Sequence, residues 1–190
     1  FAGEGPEDIL LQHYPLSYFR IGDQHIPVCR YIDPKAPLMV AVTGFDDREM
    51  LNRILMYRYI ISYEPYNFKG RLSGFPLTLE YGKKIDGLRR RYRRWLWDAE
   101  YRDTLGARVT VNGAPHRLYS VFRGSQGDRA VVVVNQNPDK AIMAKVELPE
   151  PRRLAVVTPE EPDSKPTNGV VNIPPRSVAA VIESIEQNSE

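Results

Sequence analysis

Three carboxylates sit where an extended segment gives way to a helical pattern: Glu4 in FAGEGP, and Asp46 and Asp47 in VTGFDDRE. Loop carboxylates of this kind can do acid–base work. Cleavage of a glycosidic bond needs only two of them, one as acid and the other as nucleophile or base, held about 5 to 10 Å apart according to stereochemical course. Aromatic side chains stand nearby in the chain, Phe45 beside the aspartates and Tyr63, Tyr66 and Phe68 in the YEPYNF loop. Such rings can stack on the apolar faces of a sugar, so Phe45, Asp46, Asp47, Tyr63 and Tyr66 form a candidate substrate-binding set around Glu4.

Each residue also has a plainer role. Pro6 followed by Glu7 and Asp8 is a good helix start, because proline gives up only an amide that would be unpaired and the acids complement the positive helix end. Asp46 with Glu49 has the spacing of a capping box. The aromatics of YEPYNF can equally fill a junction between two regions of the chain. Glu4 differs from the others in preceding Gly5 and standing outside the helix proper.

Other chemistries lack their residues. There is no phosphate-binding GxxxxGK[ST], no GxGxxG, no HExxH and no GxSxG. With histidines only at 13, 25 and 116 and Cys29 as the single cysteine, neither a metal site nor a cofactor is expected, and a disulfide within the chain is excluded. Net charge is +2, too little to imply nucleic acid. The run LRRRYRRWLW is locally basic, with eight basic and three acidic residues from Lys83 to Arg102, yet on a helix its arginines spread around the circumference and can pair with Asp86, Asp98, Glu100 and Asp103. No stretch of eighteen apolar residues exists, so no membrane partner is expected either.

The elements that would position the carboxylates follow from periodicity. After Pro6 a helix of about ten residues is expected. HIPVCRYI and PLMVAVTGF read as two buried extended segments around Asp33-Pro34. Met50, Leu51, Ile54, Leu55 and Ile61 fall on one face of a helix, and Ile85, Leu88, Tyr92 and Trp95 mark a second from about Leu77 to Trp97. Extended segment, acidic turn and helix is α/β grammar. After Gly106 the texture changes. ARVTV-NG-APHRLYSVFRG carries an Asn-Gly hairpin signal, and short alternating segments follow to the end, about seven strands spaced near ten residues apart, which predict a β-sandwich. Its charges balance, ten basic against ten acidic from Thr104 to Glu190.

The order of these parts is similar to a known arrangement. A strand ending in GEGP, a helix, a strand ending in VTGFDD, two helices with RRRYRRWLWDAEYRDTLG and a terminal sandwich resemble the last part of a glycoside-hydrolase-like TIM barrel with its C-terminal β-sandwich. The architecture resembles the α-galactosidase and α-amylase type, including a poorly characterised bacterial group with a similar GEGP segment. The fold class so implied is α/β plus all-β: the last βα units of a partial TIM barrel over 1–105, then an antiparallel β-sandwich over 106–190. The resemblance implies carboxylate chemistry on a carbohydrate substrate, with Glu4 as the catalytic candidate and Asp46 and Asp47 as cleft residues. It also implies a secreted or periplasmic location. A complete barrel takes about 250 residues, so the remainder of the same polypeptide is expected upstream, leaving this piece inactive alone and its strand edges prone to self-association. The alternative is a noncatalytic carbohydrate-binding or structural module.

Overall fold

Leu38–Val42, the run LMVAV, forms strand β3 at the heart of a four-stranded parallel sheet. Its neighbours are β1 (Ala2–Glu4), β2 (Leu16–Phe19) and β4 (Ile60–Tyr63), in the order β1-β2-β3-β4. The structure is a computed structural model that describes residues 2–4, 13, 15–22, 25–66, 69–150 and 153–183, with 2–4 described by backbone alone. The helix expected after Pro6, with Glu7 and Asp8, lies outside the described residues.

Parallel neighbours require a crossover between strands. Two are described: a five-residue helix α1 (Val28–Ile32) between β2 and β3, and α2 (Arg48–Met56) between β3 and β4. Alternation then divides the sheet into two faces. One carries Leu38, Val40 and Val42, all buried, and α2 packs on β3 and β4 with Leu51, Ile54 and Leu55 fully enclosed. The other carries Tyr18, Met39, Ala41 and Ser62, brought side by side by the pairs Tyr18↔Met39 and Ala41↔Ser62.

Three expectations for this region are corrected. HIPVCRYI is no buried strand: Val28–Ile32 is helical, and Ile26, Val28, Tyr31 and Ile32 are exposed. Its organiser is Arg30, a fully buried cation whose guanidinium donates to the carbonyls of Tyr57, Ala36 and Arg58. That satisfaction by distant backbone overrides the β-branched local composition. Ile61 is not on a helix, because α2 stops at Met56 and the chain re-enters the sheet as β4. The Asp46–Glu49 capping box does not form either: Asp47 is the N-cap, and its carboxylate turns back into the preceding loop.

The chain divides into two compact units, Phe1–Asp86 and Gly87–Glu190, with the division inside helix α3 (Pro76–Arg91). The second unit continues through a short helix α4 (Arg93–Leu96) into strands β5 (Glu100–Tyr101), β6 (Arg108–Val111), β7 (Ala114–Pro115), β8 (Tyr119–Arg123), β9 (Arg129–Asn135), β10 (Ile142–Glu147), β11 (Leu154–Val157), β12 (Lys165–Thr167), β13 (Val170–Ile173) and β14 (Ser177–Glu183). They make two antiparallel sheets, β13-β10-β6-β7 and β12-β11-β14-β9-β8-β5. The Asn112-Gly113 pair takes positive φ at both positions, 51° and 79°, as a two-residue hairpin turn demands. Inward residues of both sheets share one core, among them Val109, Val146 and Val171 from the smaller and Val121, Val131, Val133 and Val181 from the larger. This is a sandwich. The valine run of β9 is buried on both faces because α4 covers β8 and β9 from outside.

Arginines of the basic run are paired one by one, two with neighbours in the chain and two with acids from later in the second unit. Arg93 meets Asp98, Arg94 meets the fully buried Asp128, Arg91 meets Asp163, and Arg102 meets Glu100. Arg89 lies over the ring of Trp97.

Candidate functional site

In a parallel sheet the carboxyl ends of the strands and the loops that leave them gather polar side chains, because the helices cover the faces and leave that rim open. Here the rim is built from Tyr18 on β2 and Arg20 just after it, the loop Thr43–Asp47 after β3, Ser62 on β4 and Glu64 just after it.

Glu64 is the centre of the arrangement. Its N–H donates to the Val42 carbonyl, so it extends the ladder one step past β4, and alternation puts its side chain on the face of Ser62 and Tyr18. The carboxylate is only 3% exposed. The Tyr18 hydroxyl donates to Oε2 at 2.6 Å and the Ser62 hydroxyl donates to Oε1 at 2.8 Å, while the Arg20 guanidinium stands 3.8 Å from Oε2. Burial, and then the bond to Glu64, raise the Tyr18 phenol above its ordinary pKa, with Arg20 opposing. The phenol therefore stays protonated and keeps donating. A buried carboxylate with a donor on each oxygen is a fixed hydrogen-bond anchor.

The loop after β3 places its acids differently. Asp47 Oδ2 accepts from the N–H groups of Thr43 and Gly44 at 3.2 and 3.0 Å. Its own N–H donates to Thr78 Oγ1, whose hydroxyl donates to the Gly44 carbonyl. Asp47 is thus engaged in shaping the loop and tying it to α3. Asp46 forms an ion pair with Arg48 at 3.5 Å, and Arg48 in turn covers the ring of Tyr81.

Of the aromatic candidates, Phe45 and Tyr66 are brought together. Phe45 stacks on Phe75 with ring centroids 4.7 Å apart and meets the edge of Tyr66 at 4.8 Å. Phe45 is 53% and Tyr66 47% exposed, so both present ring surface beside the strand ends, and Phe75 beneath them is buried. Gly70 has to be glycine here, since a Cβ would come within 2.6 Å of the Tyr66 ring. Tyr63 points the other way: by alternation it faces away from Glu64, and its hydroxyl lies against Gly82 of α3. Phe68 lies outside the described residues. Glu4 ends β1 in register with Tyr18, the donor to Glu64. Its side chain lies outside the described residues.

Sequence reasoning missed Glu64, Tyr18, Arg20 and Ser62. The available signal was IISYEP, an apolar start and an acid before a proline, which periodicity assigned to a helix tail and a loop. Among the described residues no group of three or more His, Cys, Asp or Glu side chains is placed to hold a metal ion, and no helix is long and apolar enough to cross a membrane.

No protein-family model matches the chain, and no curated protein matches it in sequence. Among solved structures it is similar to a GH27 β-L-arabinopyranosidase from Geobacillus stearothermophilus, at 8% identity and a TM-score of 0.39 over 77% of this chain and 32% of that one. A variant of that enzyme in complex with arabinose gives 9% and 0.37, over 75% and 31%. The α-fucosidase of Thermotoga maritima in complex with a mechanism-based inhibitor gives 9% and 0.40, over 90% and 43%. The chain spans about a third of the arabinopyranosidase's length and less than half of the fucosidase's.

Proposed function

We propose that this chain is the C-terminal part of a glycoside hydrolase, contributing the closing βα units of a larger parallel barrel and the sandwich that follows it. The observation that carries the reading is Glu64: a buried carboxylate at the carboxyl end of sequentially ordered parallel strands, anchored by Tyr18 and Ser62, with the exposed rings of Phe45 and Tyr66 on the loops that leave β3 and β4. Strand-end acids at such a rim are where barrel enzymes keep their chemistry. In this reading Glu4 acts on the glycosidic bond with a partner acid supplied from upstream, Glu64 fixes Tyr18 at the cleft wall, and Phe45 and Tyr66 form a stacking platform for a sugar ring. The chain alone does not turn over substrate, because one carboxylate without its partner is a weak catalyst. Its unpartnered barrel edges favour self-association.

A second reading has a specific observation behind it. Asp46 is engaged with Arg48 and Asp47 with its own loop, so neither is a ready acid or base, and a noncatalytic carbohydrate-binding module would need only the rings and the polar rim.

The test is turnover of aryl glycosides by the polypeptide encoded by the whole reading frame and by residues 1–190. The hydrolase reading expects activity in the former, loss of it by about 10²-fold or more in Glu4→Gln, and none in the latter. Wild-type rates in Glu4→Gln would remove that acid from the mechanism. Sugar binding with no turnover in either chain would select the module.

A further inference from the structure

A second concavity, independent of the rim above, lies at one end of the sandwich. It has a volume of about 260 Å³ and is lined by Arg102, Arg123 and Arg129 around Val121, Leu105 and Gly106. The strand register explains why arginines stand there. Val121 pairs with Val131, and both belong to the core; two residues further on, the same face carries the last pair of the β8–β9 ladder, Arg123↔Arg129. Two like charges directly opposite one another destabilise a sheet.

Acids offset part of this repulsion, Glu183 against Arg129 and Glu100 directly opposite Arg123 in the β5–β8 ladder. Glu183, fully buried, accepts from Arg129 Nε at 3.2 Å and Nη2 at 2.7 Å, and that Nη2 also reaches the Pro149 carbonyl. Glu100 accepts from Arg102 Nη1 at 3.0 Å. Three guanidinium groups thus meet two carboxylates. Arg123 has no side-chain partner among the described residues, and Arg129 Nη1 makes no bond among them. Planar guanidinium groups with unused donors suit a carboxylate, which they hold through paired N–H bonds. The adjoining exposed Leu105 side chain suits the apolar face of its carrier, with the core residue Val121 beneath.

We propose that this cavity is a binding site for a small organic carboxylate of about the size of one acidic sugar, held by Arg123 and Arg129 with Arg102 at the rim. The excess positive charge and the carbon-lined floor both favour such a ligand over a neutral one.

The test uses the full chain at constant ionic strength, titrated calorimetrically with glucuronate, glucose and sulfate. Saturable glucuronate binding is expected, with no glucose binding. Arg123→Met keeps the aliphatic stem and removes one of the opposed charges, so its unliganded Tm should equal or exceed the parent's while glucuronate affinity falls about tenfold or more. Should that variant fail to fold, Arg102→Met carries the same expectation of weakened binding. Sulfate binding as tightly as glucuronate would overturn the organic-acid assignment. An absence of saturable glucuronate binding, or an affinity unchanged by a folded variant, would overturn the site.

Discussion

At the scale of single residues, the Tyr18–Glu64 contact has measurable consequences. Tyr18→Phe removes the donor to Glu64 Oε2 without changing the shape of the ring, leaving a buried carboxylate oxygen short of its closest partner. A hydrogen bond to a charged group contributes about 1.5 to 3 kcal/mol, so urea unfolding should register a loss of that order, and Glu64→Gln, which retains an acceptor, should lose less. His25 gives a pH signature. Its imidazole sits 2.7 Å from the Tyr59 hydroxyl, and burial first, then the Arg53 charge, push its pKa down to about 4 from 6.5. The folded state therefore binds fewer protons than the unfolded chain between those values, so stability should fall as pH drops from 6.5 towards 4, and level off for this group below that. Thermal unfolding of His25→Gln should lack this component of the pH dependence. Glu64 and His25 were illegible in the sequence for one reason: each owes its environment to residues about thirty to fifty positions away, as Tyr18 is to Glu64 and Tyr59 to His25.

Elements were legible where local chemistry decides them. The Asn-Gly turn sets two positive φ angles that few other pairs tolerate, and β6–β7 forms as expected. The LMVAV strand and the helix beginning near Leu77 are likewise readable from pattern. The failures lie in Leu16–Phe19 and Ile60–Tyr63, four-residue strands too short for alternation to declare itself, and in α1, a helix held by a buried guanidinium. Glycines sort in the same way. At Gly169, φ is 93° and a Cβ would stand 2.5 Å from the Val146 carbonyl oxygen, whereas at Gly113 φ is 79° and the space is open. Gly113→Ala should cost about 1 to 2 kcal/mol from the left-handed backbone alone. Gly169→Ala should cost clearly more, since its clash is with backbone that also donates Val146 N–H to the Gly169 carbonyl. Chemical denaturation of the two variants in parallel checks the order.

At the scale of the whole molecule, the sequence changes texture near Gly106, while the compact units divide after Asp86, inside a helix. The difference has a physical cause. Tyr101 pairs with Phe122, so β5 joins the six-stranded sheet, and α4 covers that sheet's outer face; sandwich partners are thus written in a helical and aromatic idiom well before the strands begin. Two units with separate cores need not unfold together. Both tryptophans, Trp95 and Trp97, belong to the second unit, and the first has none. Tryptophan fluorescence and far-ultraviolet circular dichroism should therefore give non-coincident urea transitions, the dichroism alone reporting the melting of α2. A single shared midpoint would mean that the units unfold as one.

Arg30 bears on the order of events in folding. Its carbonyl partners at Tyr57 and Arg58 follow it by 27 and 28 positions, so until the chain has run out through β3 and α2 and returned, the guanidinium has the carbonyl of Ala36, six positions on, but lacks these two acceptors. A cation stripped of water is tolerable only once those acceptors are in place. The segment is therefore expected to consolidate late in assembly, and amide exchange in a chain ending before residue 57 should find residues 28–32 unprotected where the full chain protects them.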